Sequence, residues 1–251
     1  MLIRVETPFG SFVAKDKDLI TEHLHKYGAH TRNELAMVKS FISKDDVIFD
    51  VGAHIGSYAI PLAKVLSGNG KVYAFEPNPS SYYLLKHNIY LNDLHGKVFC
   101  QKKAIGEKPG VLKVEFDQLA GNSGSNTIVN KKSDGFYIDF DSIDAFVKRN
   151  SIGKVDWLKV DVEGREFEVL KGAENTLSTF KPNVYLEICR DQLFKFNSNP
   201  ENIFDKMSAF GYKMYINSGD RNSCNNSYKL NELTDLKLEK KLYDVLFISE
   251  S

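Results

Sequence analysis

Cysteine is scarce in this chain, and its spacing excludes two kinds of scaffold. The 251 residues include Cys100, Cys189 and Cys224, which lie far apart and outside any C-x-x-C pattern. That spacing argues against a disulfide framework and against a structural zinc site. Free thiols in a reducing compartment are therefore the expectation.

Excess charge and long apolar runs are also missing. Lys plus Arg and Asp plus Glu both number 33, and this balance argues against attraction to long nucleic acid or to a membrane surface. The apolar runs are strand-length, well below the roughly 20 residues that a membrane-spanning helix needs. Residues 1–6 lack the apolar centre of a secretory signal. We expect a cytoplasmic protein without membrane insertion, whose oligomeric state the sequence leaves open.

The composition is sufficient for one sizeable hydrophobic core. Hydrophobic residues make up 42% of the chain, which is enough for one α/β domain of this length. Residues 1–45 are predicted as an appendage, with a β-hairpin around Pro8-Phe9-Gly10 and helices over 18–27 and 32–42. Such an appendage could lie over a ligand crevice or simply cap the sheet. Residues 46–251 are predicted to form the main domain.

From residue 47 onward, strand-like and helix-like segments alternate. Apolar β-branched runs predict buried strands, and apolar residues at helical spacing predict helices between them. The predicted strands are 47–51, 71–75, 98–102, 136–140, 156–160, 183–188, 213–216 and 244–248, with 110–116 also strand-like, and the predicted helices are 57–67, 79–91, 142–149, 166–180 and 201–210. This alternation predicts an α/β fold with a Rossmann-like, doubly wound, mostly parallel seven-stranded sheet that ends in an antiparallel C-terminal strand pair.

Two polar stretches interrupt the alternation. Residues 119–132 (LAGNSGSNTIVNKK) are predicted as a long loop, and loops of that length are often functional. Polar side chains in this loop could bind a polyhydroxylated ligand or form plain solvated surface; they are Asn122, Ser123, Ser125 and Asn126. Residues 217–226 (NSGDRNSCNN) are predicted as a surface loop.

The most informative stretch is Asp50-Val51-Gly52-Ala53-His54-Ile55-Gly56, between a predicted strand and a predicted helix. A strand that breaks on glycines and restarts as a helix directs backbone amides and a positive helix end into one crevice. Glu76 ends the next strand, about 20 residues further on, where a carboxylate can accept hydrogen bonds from both hydroxyls of a ribose. The pattern predicts an adenosine-containing cofactor.

The same turn indicates which cofactor this is. The motif G-x-G-x-x-G is typical of sites that bind a nicotinamide dinucleotide. Here Ala53 and His54 stand between Gly52 and Gly56, so the middle glycine of that motif is missing. Asp50 would repel a pyrophosphate, whereas an acid suits the amine and the sulfonium of S-adenosylmethionine. The pattern favours S-adenosylmethionine; the alternatives are a nicotinamide-dependent oxidoreductase and a turn that binds nothing.

A third group of acids follows the strand Trp157-Leu158-Lys159-Val160. Ligands of open α/β sheets bind beyond the carboxyl ends of the strands, so Asp161 and Glu163 are expected in the same crevice as the glycine turn. Two neighbouring acids cost electrostatic energy unless a cation, a proton or a ligand offsets it. The alternative interpretation is that Glu163 or Glu166 caps the helix that follows.

Together these segments resemble the FkbM family of S-adenosylmethionine-dependent methyltransferases. The resemblance is carried in order by VIFDVGAHIGSYAIPLA, VYAFEPNPSSYYLLKHNIYLN, KKAIG, WLKVDVEGREFEVLKGA and VYLEI, within residues 47–188. It implies that residues 46–251 form a methyltransferase domain that transfers a methyl group to a hydroxyl, usually of a sugar or a secondary metabolite. Two positions depart from the family, because many relatives have Asn in place of His54 and His in place of Arg165.

The resemblance also implies a role for each motif residue. The expected cofactor contacts are Asp50, Gly52, Ala53, Gly56 and Asp161 for the methionine part, Glu76 with Asn78 for the ribose, and Ala104 for the adenine. The candidates for the catalytic base are Asp161, Glu163, Glu187 and His54. Glu163 is the first choice, because it follows the strand that faces the methyl group, and Glu187 is the second. His54 has the most suitable ordinary pKa, but it could simply pack in the turn.

Metal dependence and nucleic-acid substrates are both disfavoured. No adjacent Asp-Asn pair of the catechol-methyltransferase type follows the helix after Asp161, so no metal is expected. An RNA-modifying methyltransferase is a weaker alternative, because zero net charge and an acidic crevice argue against a long phosphate footprint. The acceptor is expected to be a hydroxylated molecule, most simply a carbohydrate, with a small secondary metabolite as the alternative.

Overall fold

The fold is built on a mixed sheet of eight strands, in a computed structural model that describes residues 1–118, 122–123, 126–130, 135–225, 227–234 and 242–249. The strands are β1 (Leu2–Thr7), β2 (Gly10–Lys15), β3 (Val47–Val51), β4 (Lys71–Phe75), β5 (Val98–Gln101), β6 (Ala104–Ile105), β7 (Gly110–Gln118), β8 (Asn126–Asn130), β9 (Phe136–Asp141), β10 (Trp157–Val160), β11 (Asn183–Cys189), β12 (Tyr212–Asn217), β13 (Leu230–Glu232) and β14 (Leu242–Ser249). The helices are α1 (Leu19–Tyr27), α2 (Arg32–Phe41), α3 (Ala59–Ala63), α4 (Pro79–Leu91), α5 (Ile143–Arg149), α6 (Glu166–Lys171), α7 (Glu174–Phe180), α8 (Arg190–Lys195) and α9 (Pro200–Ala209).

The order of strands in the main sheet confirms the predicted fold class. The order is β13-β12-β14-β11-β10-β3-β4-β5. The five strands from β11 to β5 run parallel, and β14 lies antiparallel between β11 and β12. The sheet is therefore Rossmann-like and mostly parallel, with an antiparallel C-terminal pair. The three-residue strand β13 pairs with β12 and adds an eighth strand at the edge, beyond the seven expected.

A second sheet contains the segment that the sequence predicted as a long loop. Its strands lie in the order β6-β9-β7-β8. The loop prediction for 119–132 was wrong over Asn126–Asn130, because these residues pair antiparallel with β7. That pairing partner lies outside the polar stretch, so its composition alone did not reveal the strand. The predicted strand 136–140 belongs to this sheet as β9. Ser125 lies outside the described residues.

The helices follow the predicted alternation, with two differences. The single helix expected over 166–180 is divided into α6 and α7 around Gly172, where an added Cβ would lie 2.1 Å from the carbonyl oxygen of Gly106. This close approach requires glycine, and it brings α6 against the strand β6 region. Helix α8 was not predicted. Among the helices in the described ranges, none is long and apolar enough to cross a membrane.

Hydrophobic side chains are buried on both faces of the main sheet. Ile48 and Val72 point into the layer that also holds α3 and the N-terminal hairpin, and both are completely buried. Phe49 and Leu158 point into the opposite layer, with α5, α6, α7 and α9. Strands buried on both faces are near-continuously apolar, which makes a charged residue within one of them unusual.

The N-terminal hairpin is attached to helix α4 by side-chain amides. The amide of Asn88 accepts a hydrogen bond from the Val13 backbone N–H at 2.7 Å and donates to the carbonyl oxygens of Val13 and Ile55, at 3.1 and 3.0 Å. Asn92 bonds to the backbone of Ser11 in the same way. These contacts satisfy the free edge of β2, so residues 1–15 share the core of the main sheet.

We predict that Asn88→Ala destabilises the protein. Asn88 is completely buried, and its removal leaves backbone groups of Val13 and Ile55 without partners, at a cost of about 1–3 kcal/mol each. Urea unfolding measures the loss of unfolding free energy. His87→Ala is the matched control, because His87 is the exposed neighbour on the same helix. Equal stability of the two variants would show that the hairpin contacts contribute nothing.

Candidate active site

A cavity opens at the carboxyl ends of β3, β4, β10 and β11. The cavity has a volume of about 270 Å³. Its lining includes the strand-end residues Gly52, Glu76, Asp161 and Glu187, which the sequence placed in one crevice. The topology explains this meeting, because the carboxyl ends of parallel strands lie at one edge of the sheet.

The glycine turn approaches the end of β10 closely. Gly52 has a φ of +81°, and a Cβ on it would lie 1.8 Å from the carbonyl oxygen of Asp161. Gly56 has a φ of +95° and packs against Ile60 and Leu85. Glycine is the residue that takes such conformations without strain. Residue 52 therefore sets the spacing between the turn and Asp161, whereas Gly56 fits the turn to helix α3.

Asp50 forms an ion pair below this turn. Its side chain is completely buried, and Oδ1 lies 3.3 Å from Nζ of Lys159. It is not among the described residues that line the cavity. The structure therefore separates Asp50 from direct contact with a ligand in the cavity and joins it to a lysine that the sequence analysis did not assign. Lys159, a cation inside the apolar strand Trp157–Val160, was the available signal.

Lys159 joins the two strand ends. Its Nζ also donates to the carbonyl oxygen of Gly52 at 3.1 Å and to Oδ2 of Asp161 at 3.5 Å. Burial alone would lower the pKa of Lys159, but the carboxylates of Asp50 and Asp161 outweigh burial and raise it. Lys159 therefore stays charged. It holds Asp161 beside the turn.

Glu76 lies at the end of β4 with its carboxylate held by two backbone amides. His54 N–H donates to Oε2 at 2.9 Å and Asn78 N–H donates to Oε1 at 2.8 Å. Burial raises the pKa of Glu76 to about 7, against the lowering effect of these amides. Each oxygen keeps a free lone pair. The carboxyl group lines the cavity with its position fixed and with capacity for further hydrogen bonds.

Of the other expected cofactor residues, one lines the cavity and three lie behind its wall. Ala104 borders an apolar end of the cavity with Ile105 and Phe140. Asn78 caps helix α4, where its Oδ1 accepts from the Ser80 backbone N–H at 2.9 Å. Ala53, Gly56 and Asn78 are not among the described residues that line the cavity, so their contact with a cofactor stays a prediction.

Three acids converge on the opposite end of the cavity from Ala104. Asp161 is about one-third exposed. Glu163 has a φ of +57°, and its Oε2 accepts a hydrogen bond from the Gln192 side chain. Burial, followed by the charges of Asp161 and Glu187, raises the pKa of Glu163 to about 8. The carboxyl group of Glu163 therefore gains or loses its proton close to neutral pH.

Glu187 differs from Glu163 because it has a cationic partner. Arg221 NH2 donates to its Oε2 at 2.5 Å. Burial and Asp161 raise the pKa of Glu187 to about 7 despite this arginine. Arg221 also binds Asp244, the residue opposite Glu187 on β14, with Nε 2.5 Å from Oδ2. Two carboxyl groups thus share one guanidinium.

Glu166 stabilises the loop that precedes helix α6 and does not cap the helix, whose N-cap residue, Arg165, makes no side-chain capping bond. Its Oε1 accepts from the backbone amides of Val162 and Gly164, at 3.2 and 3.0 Å. Glu166 is almost completely buried and does not line the cavity among the described residues. It holds the loop after β10 in shape, which leaves Glu163 to face the cavity.

His54 lines the cavity with two unpaired ring nitrogens. Nδ1 and Nε2 are both buried and have no hydrogen-bond partner in the part of the chain that the structure describes. Burial lowers the pKa of His54 to about 4, so the imidazole is neutral at neutral pH. A histidine of such low pKa is a weak base. It is better suited to hydrogen-bond a ligand.

The predicted surface loop 217–226 also reaches the cavity. Arg221 and Asn222 line it. Asn33 on α2 holds this segment, because its backbone N–H donates to the Arg221 carbonyl oxygen at 3.1 Å and its side chain donates to Ser223 Oγ at 3.1 Å. The loop prediction is confirmed for residues 218–225, most of which are exposed. The sequence did not reveal that the loop reaches the cavity, because these contacts join residues more than 180 positions apart. Asn226 lies outside the described residues.

Cationic side chains lie beside two of the carboxylates that line the cavity. Within the described ranges, no group of three or more His, Cys, Asp or Glu side chains is arranged to hold a metal ion. Asp161 faces Lys159 and Glu187 faces Arg221, so ammonium and guanidinium groups already occupy the positions beside these two carboxylates.

A mostly parallel α/β sheet with a glycine turn and acids at neighbouring strand ends is typical of Rossmann-like α/β proteins. The family model described as the methyltransferase FkbM domain matches residues 50–214, more than half of the chain. The chain therefore belongs to the FkbM methyltransferase family. This match begins at the glycine turn and ends before the segment that carries Arg221.

Similar proteins agree with this assignment. Hexuronic acid methyltransferase AglP of Haloferax volcanii is 34% identical over 136 residues, which cover 54% of this chain and 53% of that protein. Methyltransferase sdnD of Sordaria araneosa is 29% identical over 172 residues, or 56% of this chain and 65% of that protein. The chain thus spans about half to two thirds of these relatives. The crystal structure of methyltransferase FkbM from Methylobacillus flagellatus KT shares the fold, with a TM-score of 0.54 and 15% identity over 90% of this chain and 50% of that one.

We predict that Lys159→Met destabilises the protein by about 3–5 kcal/mol, because it leaves the buried Asp50 carboxylate without its cation. Urea unfolding measures this. The double variant with Asp50→Asn should recover part of the loss, since both charges are then removed. Lys154→Met is the control, because its half-exposed pair with Asp156 is worth about 1 kcal/mol or less. A Lys159→Met protein as stable as this control would contradict the ion-pair assignment.

Proposed function

We propose that this protein is an S-adenosylmethionine-dependent O-methyltransferase, with residues 46–251 as its catalytic domain and residues 1–45 as part of the cavity wall. The observation that carries the proposal is the carboxyl group of Glu76, fixed by the amides of His54 and Asn78 in the same cavity as Asp161. Membership of the FkbM methyltransferase family supports it.

The residues present fit the proposed cofactor. The apolar end formed by Ala104, Ile105 and Phe140 suits the adenine ring. Glu76 has free lone pairs for the two ribose hydroxyls. Asp161 suits the positively charged methionine end, and the unpaired ring nitrogens of His54 lie on the same wall. Buried polar atoms without hydrogen-bond partners destabilise the folded protein unless a bound ligand supplies those hydrogen bonds.

Asp50 and Lys159 position these contacts from behind the wall. Lys159 pairs with Asp50 and reaches both Gly52 and Asp161. The proposed contribution of Asp50 is therefore to hold Lys159, and that of Lys159 is to hold the turn and the carboxylate of Asp161 at a fixed separation. This differs from the direct cofactor contact that the family resemblance implied for Asp50.

The cofactor would supply a methyl group activated by a positively charged sulfur. The chain's own residues then have to orient the acceptor hydroxyl, exclude water and accept its proton. Glu163 is the best base on this geometry, because its partner is the neutral side chain of Gln192 and its pKa of about 8 lies near neutrality. Arg221 pairs with Glu187 and fixes the position of its carboxyl group, which suits Glu187 to orient the acceptor.

A carbohydrate is the proposed acceptor class. The acids and the Arg221 side chain offer the acceptors and donors that hydroxyl groups use, and the similar protein AglP is named for a hexuronic acid. A small secondary metabolite is the other acceptor consistent with a hydroxyl at this site. A cytoplasmic location also stays a prediction.

We predict that Glu76→Ala weakens adenosylhomocysteine binding by about 1–3 kcal/mol, because hydrogen bonds to a charged group are lost. Isothermal calorimetry measures the affinity. Glu174→Ala is the control, since Glu174 is an exposed acid on helix α7. Unchanged affinity in a folded Glu76→Ala protein would remove the ribose assignment.

Glu163→Gln should preserve adenosylhomocysteine affinity and lower turnover by about 10²-fold, because a glutamine cannot accept the acceptor proton. In the wild-type protein the base works once deprotonated, so kcat should rise with pH, reach half of its plateau near pH 8, the pKa of Glu163, and level off at higher pH. The variant should lose this rise. Release of adenosylhomocysteine in the presence of a panel of sugars measures the turnover of each protein and its dependence on pH. If the variant turns over normally with the same pH profile, the base is Glu187.

A further inference from the structure

Part of the cavity wall comes from segments outside the family match. Residues 50–214 supply the strand ends, whereas His23, His30 and Arg221 come from the N-terminal helical segment and from the segment after β12. Thr31 Oγ1 lies 2.7 Å from the hydroxyl of Tyr58, so the N-terminal segment is fixed to the helix that starts after the glycine turn. Arg221 in this wall contacts the carboxylate of Glu187, one of the acids that line the cavity.

His23 and His30 form a hydrogen-bonded pair. Their Nδ1 atoms are 2.9 Å apart and their rings stack with centroids 4.9 Å apart. Burial lowers the pKa of both rings, so the pair is neutral. One Nδ1 must then donate to the other, which leaves one Nε2–H donor and one Nε2 acceptor. Neither Nε2 has a hydrogen-bond partner among the described residues.

The lysines and arginines that line the cavity are already paired with carboxylates, and Lys103 shares its partner Asp141 with Arg149. Each lysine and arginine in the described lining has a carboxylate partner: Lys103 with Asp141 at 3.2 Å, Lys159 with Asp50 at 3.3 Å, Arg165 with Glu168 at 2.7 Å and Arg221 with Glu187 at 2.5 Å. Arg221 also binds Asp244. An anion entering beside Glu163 and Glu187 would therefore meet negative charge without a free cation to offset it.

We propose that the acceptor is an uncharged, polyhydroxylated molecule such as a neutral sugar, recognised by the His23–His30 pair and by Arg221. This rests on the proposed function and narrows it. A sugar hydroxyl both donates and accepts, which matches the one donor and one acceptor of the neutral histidine pair. A hexuronate lacks a place for its carboxylate here, so the acceptor differs in charge from the sugar named for AglP.

Matched sugar pairs test the charge preference. Methyl glycosides of glucose, galactose and mannose are compared with the corresponding uronates, which differ only in the carboxylate, by release of adenosylhomocysteine and by ligand-observed NMR. We expect the neutral member of at least one pair to bind and react at least about 10-fold better. A preference for the uronates overturns the proposal. So does failure of every neutral sugar to bind, and intact adenosylhomocysteine binding would then leave the cofactor assignment standing.

Substitutions test the recognition residues. His23→Phe and His30→Phe keep the stacked rings but remove the nitrogens, so KM for the neutral sugar should rise by about 10-fold while adenosylhomocysteine affinity stays unchanged. His25→Phe is the control, because His25 is exposed on the same helix. Asp244→Asn frees part of the Arg221 charge and should narrow the preference for neutral sugars. An unchanged KM in both histidine variants overturns the assignment of the pair.

Discussion

The meeting of the glycine turn with the end of β10 is the constraint on which the site depends. A side chain at residue 52 would collide with the backbone of Asp161, so the two strand ends approach only because Gly52 has none. Lys159 holds the same junction through the Gly52 carbonyl oxygen and the carboxylates of Asp50 and Asp161. Backbone contact and buried charge thus fix one geometry, which positions both the turn and the acid beside it.

Burial and partner choice give similar carboxyl groups different properties in this cavity. Glu76, Glu163 and Glu187 all have raised pKa values because they are buried. Their partners are two backbone amides for Glu76, the Gln192 side chain for Glu163 and a guanidinium for Glu187. A carboxyl group held by amides suits fixed hydrogen bonding, one beside a neutral amide suits proton transfer, and one in an ion pair suits orientation. The division of roles follows from these contacts.

The two parts of the cavity have different origins along the chain. The strand ends lie within residues 50–214, the part that matches the family. Further lining residues come from α1, from His30 and Thr31 before α2, and from the segment around Arg221, which Asn33 holds in place. Loops and appended elements on a common scaffold are where specificity commonly varies. The proposed acceptor preference therefore depends on residues outside the part of the chain that matches the family.

The sequence by itself determined the α/β alternation, the glycine turn and the strand-end acids Glu76 and Asp161, because these features follow from local patterning and from the rule that ligands bind at the carboxyl ends of parallel strands. The tertiary structure alone decided that Asp50 faces Lys159, that residues 126–130 pair with β7, and that Arg221 reaches Glu187. Each of these depends on a partner distant in sequence. Local pattern specifies which elements form, whereas the direction of a buried charge depends on the partner that the folded chain brings within reach.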